Sequence, residues 1–500
     1  MRNALELVNV MMLVYLVVLD VAYGTLALLG WQAVESFVRR RPVRDYELVS
    51  SSPLSPPVSV IVPAYDEQET IVSSVQAMLA LHYPSLEVIV VNDGSSDMTF
   101  DRLREAFRLV PAARVPRSAI DTEHVRGTYV SAVDERLVVL DKENGGKADA
   151  LNAGLRYAWT PLVCSVDADT LLDPGALSRL VWEFTSRPDT VAAGGIVRVV
   201  NGCTVVDGRV VKVGMPKGLL PNLQVLEYLR AFLGGRIGWS RMGMTLIISG
   251  AFGLFDRAAV VAAGGWDPRT IGEDAELVLR LHRHRRDNGL DCRIMFFPDP
   301  ICWTEVPSTA RSLVHQRDRW QRGLIQMLLR HRGMIFNRRY GAVGMLALPF
   351  FVFFEALGPL VEVTGYLAFG LSCALGIASG QQILRFLALA IGFGFCISYI
   401  TLLMEERAFQ RYPGWGSLGR LLTLSVLENV GYRQWMALVR SRAWWSQLRG
   451  DRSWGAMPRA GFRALSPTVV LPRLELVEPL DPLAPVPPVA VDVEEHTLAG

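Results

Sequence analysis

The chain has 500 residues, 50% of them hydrophobic, with a mean hydropathy of +0.25, which is high for a wholly soluble protein. Lys and Arg number 51 against 49 Asp and Glu, and a net charge of +2 excludes both nucleic-acid binding by bulk charge and an acidic solvating role. Six cysteines without CxxC spacing exclude a disulfide framework and a zinc site, and suit a reduced, cytosol-facing protein.

Residues 10–31 are almost wholly apolar and, at about 1.5 Å per residue, cross a hydrocarbon core of roughly 30 Å. Arg39, Arg40, Arg41 and Arg44 follow, a positive cluster after a long apolar stretch, which predicts a permanent anchor with the downstream region in the cytoplasm rather than a cleaved signal. Asp20 inside this stretch is either a helix contact or a functional group. Residues 1–45 are thus read as an anchor and basic linker.

Between residues 56 and 337, short β-branched runs alternate with helical stretches. Runs 58–62, 87–91, 137–140 and 162–166 predict buried parallel strands, with helices beginning near Glu67, Asp97 and Lys147. The economical architecture is α/β, a doubly wound, mostly parallel sheet whose ligands bind at the carboxyl ends of strands. No GxGxxG follows the first strand, so a dinucleotide-binding dehydrogenase is excluded.

The motifs fall at predicted strand ends or in the loops after them. Asn92-Asp93-Gly94-Ser95-Ser96-Asp97 places Asp93 either to accept a hydrogen bond from a base edge or in an Asp-Gly turn, with Ser96 or Asp97 capping the next helix. Asn144-Gly145-Gly146-Lys147 opens a helix over 148–159, where backbone N–H groups and an ammonium meet an anion, unless it is a plain surface loop. Asp167-Ala168-Asp169 follows the fourth strand; on an extended chain its two carboxylates share a face, as ligands of one Mg²⁺ or Mn²⁺ must. Gly272-Glu273-Asp274 begins a helix with an apolar stripe of Leu277, Val278 and Leu281, and Asp274 is either aimed into a cleft or simply favoured by the helix dipole. Gln316-Arg317-Asp318-Arg319-Trp320 is the most specific signal: arginine forks grip phosphate and a tryptophan face floors a pyranose. Its competing reading is a basic helix lying on the membrane.

Two further apolar blocks cover residues 341–380 and 386–404, with at least two crossings and a break at Gly358-Pro359. Glu355 and Glu362 are expected to face protein or water. Residues 418–430 either cross or lie flat, and lead into Arg433, Arg440, Arg442 and Arg449 with Trp435, Trp444 and Trp445, read as a cytoplasmic interfacial helix. The membrane and interfacial helices thus span 341–450, and residues 465–500 form a Pro-rich, acidic, disordered tail.

With Asp93, DxD, a Glu-Asp pair and QxxRW in this order, the chain resembles the processive family 2 glycosyltransferases: poly-N-acetylglucosamine, hyaluronan and chitin synthases and, more remotely, cellulose synthases. The likeness covers about residues 56–326, and NGGKADALNAG (144–154) and SGAFG (249–253) look most like the poly-N-acetylglucosamine branch; Trp454-Gly455, Arg459 and Gly461-Phe462 resemble a C-terminal motif of close relatives. The resemblance implies a GT-A-like domain in which Ala64, Tyr65, Glu67 and Asp93 hold uridine, Lys147 and Asp167 the donor, and Asp169 with Asp167 a Mg²⁺ or Mn²⁺. It makes Asp274 the base, gives Arg319 the pyrophosphate, and places Trp320 and Gln316 at the acceptor. Asp66 stands where the pattern has Asn, and Gly272 where it has Thr. The expected activity is inverting transfer from a UDP-sugar to a growing polysaccharide at a plasma or inner membrane, with room for an accessory membrane subunit. Transfer of one sugar to a lipid or short acceptor is the alternative, and a non-enzymatic nucleotide-sugar sensor ranks last.

Overall fold

The computed structural model describes residues 2–40, 46–187, 189–206, 208–410, 412 and 414–449. Arg41 and Arg44, the motif at 454–462 and the expected tail at 465–500 lie outside the described residues.

The strands are β1 (Val58–Ala64), β2 (Leu86–Asp93), β3 (Leu109–Pro111), β4 (Val125–Ser131), β5 (Leu137–Lys142), β6 (Leu162–Val166), β7 (Thr170–Leu172), β8 (Thr190–Val199), β9 (Thr204–Val206), β10 (Arg209–Lys212), β11 (Phe252–Asp256) and β12 (Arg293–Thr304). Strands β9 and β10 form a small separate hairpin; the other ten form one sheet in the order β3-β4-β5-β2-β1-β6-β11-β8-β12-β7. The four strands expected from β-branched runs, β5-β2-β1-β6, pair in parallel at its centre, and β4, β7 and β11 run against the rest, so the sheet is mixed and mostly parallel.

Alternation along the central strands explains the double winding. Val58, Val60, Val62, Val88 and Val90 point into a core with Met78 and Leu180 on one face. Ile61, Ile89, Val91 and Val163 point into a second core with Leu151, Leu155, Leu277 and Leu281 on the other. Each such buried side chain contributes about 2 kcal/mol against exposure, and a polar run would forfeit both layers. Leu277, Val278 and Leu281 are core residues, as their spacing predicts.

Two expected helix starts move. Helices Ile71–Leu79 and Thr99–Phe107 begin later than Glu67 and Asp97, because the loops before them are hydrogen-bonded to each other. Asp66, at φ 53°, accepts from Ser96 N at 2.7 Å, and Gln68 N donates to Asp97 Oδ2 at 3.1 Å. Asp tolerates this left-handed backbone as Asn does, which explains the exchange at position 66. The N-cap of helix Thr99–Phe107 is Met98 rather than Ser96 or Asp97, although Asp97 Oδ1 still accepts from Thr99 N at 2.9 Å.

Helices Arg2–Arg40 and Gly380–Ala408 are long and apolar enough to cross a membrane, and the pair Val343–Ala356 and Gly358–Ala374, bent by 44° at the expected break, makes a third if counted as one span. Helix Trp415–Leu427, with 13 residues, reaches only about 20 Å and is too short to cross by itself. Glu355 faces protein: Tyr23 of the helix Arg2–Arg40 donates to it at 2.5 Å and Arg440 pairs with it at 3.0 Å. Arg440 also donates to Gln321 Oε1 at 2.8 Å, and Gln321 donates to the Glu355 carbonyl at 3.0 Å. The helix carrying QRDRW, Ala310–Arg330, is therefore held between the sheet domain and the membrane helices, with Leu313, Ile325 and Met327 buried. It is no free amphipathic helix on a lipid surface.

Candidate active site

Three loops at the carboxyl ends of the parallel strands converge. After β2 and β5, the Asp93 carboxylate accepts from Lys142 Nζ at 2.5 Å, Gly145 N at 3.0 Å and Gly146 N at 2.8 Å, while Asn144 donates to the Asp93 carbonyl at 2.9 Å. Burial pushes the Asp93 carboxyl up against the pull of Lys142 and the two glycine amides. With its side chain 3% exposed, Asp93 spends its carboxylate on holding the loop that presents Lys147. Lys142, fully buried between Asp93 and Asp149, is a residue the motif reading missed.

Helix Lys147–Tyr157 starts at Gly146, whose φ of 87° turns the chain, and its first residue reaches the next loop. Lys147 Nζ lies 2.6 Å from Asp167 Oδ1 and 3.0 Å from Glu273 Oε1. Burial pulls its ammonium down, but Asp167, Glu273 and Asp274 together outweigh that and hold it above the ordinary lysine range. Residues 167–169 form a turn, closed by Thr170 N to Asp167 O at 3.0 Å, rather than the extended segment expected. The two carboxylates are nonetheless neighbours: burial and the charge of Asp167 push Asp169 up to about 7, and Lys147 offsets them only in part.

The other two motifs arrive on helices rather than at strand ends. Glu273 and Asp274 open helix Glu273–Asp287. Asp274 Oδ2 accepts from Gly250 N at 2.9 Å; burial and Glu273 push its carboxyl up, opposed by Lys147 and Arg236. Gly250 reaches this point because β11 pairs antiparallel with β6, Phe252 opposite Val166. A Cβ on Gly250 would stand 2.9 Å from Lys147 Nζ, displacing the ammonium from its carboxylates, so the SGAFG segment has a steric role that its sequence did not disclose.

Beside this cluster, Trp320 is 44% exposed, with the Arg317 guanidinium 4.4 Å from its ring centroid. Arg317 is fixed by Glu227 at 2.5 Å, which also accepts from Tyr432 at 3.0 Å. Gln316 is buried, and its Oε1 has no hydrogen-bond partner among the described residues. Arg319 is half-buried on the same helix, one turn before Gly323, which meets Gly272. Tyr65, 51% exposed, and Glu67, half-buried beside Thr70 Oγ1 at 2.8 Å, follow β1, whose last residue Ala64 is buried. Burial pushes the Tyr228 hydroxyl up to about 12, with Arg317 and Arg236 opposing and Glu227 and Asp169 adding to the rise; neither Tyr228 nor Arg236 belongs to a recognisable motif.

The profile described as Glycosyl transferase family group 2 matches residues 162–446, and that of Glycosyl transferase family 2 matches residues 59–209. A poly-β-1,6-N-acetyl-D-glucosamine synthase of Staphylococcus epidermidis is 30% identical over 295 residues, 59% of this chain and 61% of that protein. One of the same description from Staphylococcus aureus (strain COL) is 32% identical over 276 residues, 55% of this chain and 56% of that protein. The chain therefore spans less than two thirds of these relatives' length. Among solved structures, a mannosyltransferase from Pyrobaculum calidifontis in complex with GDP-Man and Mn2+ aligns over 89% of this chain and 100% of that one, with a TM-score of 0.49 and 18% identity. Since the first profile covers more than half of the chain, including Asp167, Asp169, Asp274, Arg319 and Trp320, the protein belongs to the family 2 glycosyltransferases.

Proposed function

We propose that the protein is a membrane-bound inverting glycosyltransferase that moves a sugar of N-acetylglucosamine or glucose type from a UDP-sugar to a growing polysaccharide. The observation that carries this reading is Lys147, whose ammonium joins Asp167 of DxD to Glu273 of the acidic pair beside Asp274. Three motifs distant in sequence thereby share one charged centre. The similarity to poly-β-1,6-N-acetyl-D-glucosamine synthases favours N-acetylglucosamine as the sugar.

Asp274 takes the proton of the acceptor hydroxyl, whose oxygen attacks the anomeric carbon from the face opposite UDP. The bond to the diphosphate breaks, configuration inverts, and Arg319 and Lys147 meet the charge developing on UDP. Tyr65, Glu67 and Ala64 border the uridine, and Asp93 acts through the 142–147 loop it holds. Trp320 floors the acceptor, with Gln316 Oε1 free to accept from a sugar hydroxyl.

No group of three His, Cys, Asp or Glu among the described residues encloses a metal unaided. Asp169, pushed up to about 7 by burial and by the charge of Asp167, nevertheless stands beside it as a second carboxylate, an oxygen donor pair that suits a hard cation completed by donor phosphates. When bound there, Mg²⁺ or Mn²⁺ would neutralise diphosphate charge. The sheet domain is assigned to the cytoplasmic side of a plasma or inner membrane, where UDP-sugars are made.

Isolated membranes carrying the protein are to be incubated with a panel of labelled UDP-sugars, with and without Mn²⁺, and the products sized. Long polymer from one donor supports the reading, and Trp320→Ala should shorten or abolish it. Single-sugar products would favour the non-processive alternative, to which the small number of candidate spans lends weight. No transfer from any donor would sink both.

A further inference from the structure

We infer that a second site, an arginine-rimmed cavity where the anchor helix leaves the sheet domain, binds the phosphate headgroup of an anionic phospholipid. The cavity has a volume of about 560 Å³ and is edged by Arg40 at the end of the anchor, Arg187, Arg241, Arg286 and Arg293. Arg293 is neutralised by Asp189 at 2.8 Å. Arg40, Arg187, Arg241 and Arg286 make no ion pair among the described residues, and Arg286 Nε is buried without a hydrogen-bond partner. Glu183, Asp189 and Asp291 also face the cavity, so the rim keeps a positive excess. Guanidinium groups left unpaired around a cavity are matched by phosphate, which accepts their paired N–H groups in bidentate fashion.

Position selects the source of that phosphate. Arg40 ends the helix Arg2–Arg40, and Ala342, also on the wall, immediately precedes the bent pair that starts at Val343. Two candidate membrane segments thus emerge at this cavity, and Phe37, Leu290, Phe296 and Phe297 give it an apolar lining for the glycerol and first acyl carbons. A soluble phosphate would have no use for that lining. The cavity also backs onto the catalytic cluster: Phe296 stacks on Phe232 at 5.7 Å, and Arg236, which senses Asp274, lies over both rings at 5.7 and 4.3 Å.

The inference rests on the membrane-bound reading above, and the full-length protein in neutral detergent tests it. Thermal stability is followed while dioleoyl-phosphatidylglycerol, dioleoyl-phosphatidylcholine or inorganic phosphate is added. Phosphatidylglycerol is expected to raise Tm saturably, while the other two leave it unchanged. Arg187→Gln with Arg241→Gln, both exposed, should raise the half-saturating concentration by about tenfold or more. Arg332→Gln with Arg338→Gln, exposed basic residues off the cavity, should leave it within about twofold. Equal stabilisation by phosphatidylcholine, a match by phosphate alone, equal loss in both double variants, or no loss in the first would each overturn the lipid site. Recovery of the protein in the soluble fraction would sink the membrane reading itself. UDP-sugar transfer assayed on the same preparations is independent: its failure with phosphatidylglycerol saturation intact removes the catalytic proposal and leaves this one standing.

Discussion

Gly323 and Gly272 touch backbone to backbone: a Cβ on Gly323 would stand 3.1 Å from both Cα and N of Gly272. The contact joins the QRDRW helix to the acidic helix one turn from Arg319 and two residues from Asp274, and Ile271 N donates to Gln326 Oε1 at 3.1 Å alongside it. Alanine at 323 gains about 1 kcal/mol in helix propensity, which offsets the strain of a shift of a few tenths of an ångström. Gly323→Ala is therefore expected to keep Tm within a few degrees while lowering kcat by about tenfold through misplacement of Asp274, the proposed base. The reverse contact is looser, since a Cβ on Gly272 meets Gly323 Cα at 3.4 Å. Gly272→Thr, the residue of the resembling enzymes, should retain most activity; the opposite ranking of the two variants would show that the crossing does not set the geometry.

As the proposed base, Asp274 must be ionised to act, and burial with Glu273 raises its carboxyl above the ordinary aspartate value. As pH falls through that raised pKa the base is protonated and kcat drops, so the acid limb should lie above about pH 4. Glu273→Gln removes a negative neighbour and should move the limb to lower pH; Arg236→Gln removes a cation and should move it higher. A pH–rate profile at saturating donor reads both shifts. Asp274→Asn should cut kcat by at least about a hundredfold with UDP affinity retained, and comparable turnover would remove Asp274 from this role.

The four central strands were legible because burial on both faces demands short, mostly apolar runs rich in β-branched residues, as in residues 58–62 and 162–166. Strand β12 was not, since Pro298 and Pro300 interrupt its pattern and shift its register beside β8. Strand β11 hid behind SGAFG, whose steric role depends on pairing with β6. In the site, loops after parallel strands converge by topology, so Lys147 and Asp167 could be anticipated. Lys142, Tyr228 and Arg236 could not, because their weight comes from burial and from partners distant in sequence.

Lys147→Gln tests the charged centre directly. With the ammonium gone, Asp169 and Asp274, whose carboxyls burial already raises, lose the cation that lowers them both, and in the folded state they hold protons more tightly than in the unfolded chain. The folded form then binds more protons, so stability falls as pH rises. The Tm of the variant should accordingly climb as pH is lowered from about 8 to about 6, more steeply than that of the wild type. Donor KM should rise by about tenfold or more as the phosphate-facing cation is lost. A variant whose Tm follows the wild-type pH profile would show that the ammonium is not the counter-charge of this cluster.

Arg198 on β8 and Glu405 on the helix Gly380–Ala408 form a buried joint between sheet and membrane segment, 2.6 Å apart with side chains 1% and 2% exposed. Trp303, Phe409 and Tyr412 surround the guanidinium within about 6 Å. Desolvating both charges offsets much of their attraction, so the pair adds little over an apolar contact, but removing one member takes a buried counter-charge from the other, at a cost of about 3–5 kcal/mol. Arg198→Met alone and Glu405→Leu alone are each expected to lower Tm in detergent by several degrees, and the double variant to recover most of that loss. Additive loss in the double variant would mean that Arg198 acts through its aromatic neighbours, and Trp303→Leu should then reproduce the Arg198→Met defect while Glu405→Leu alone leaves Tm nearly unchanged.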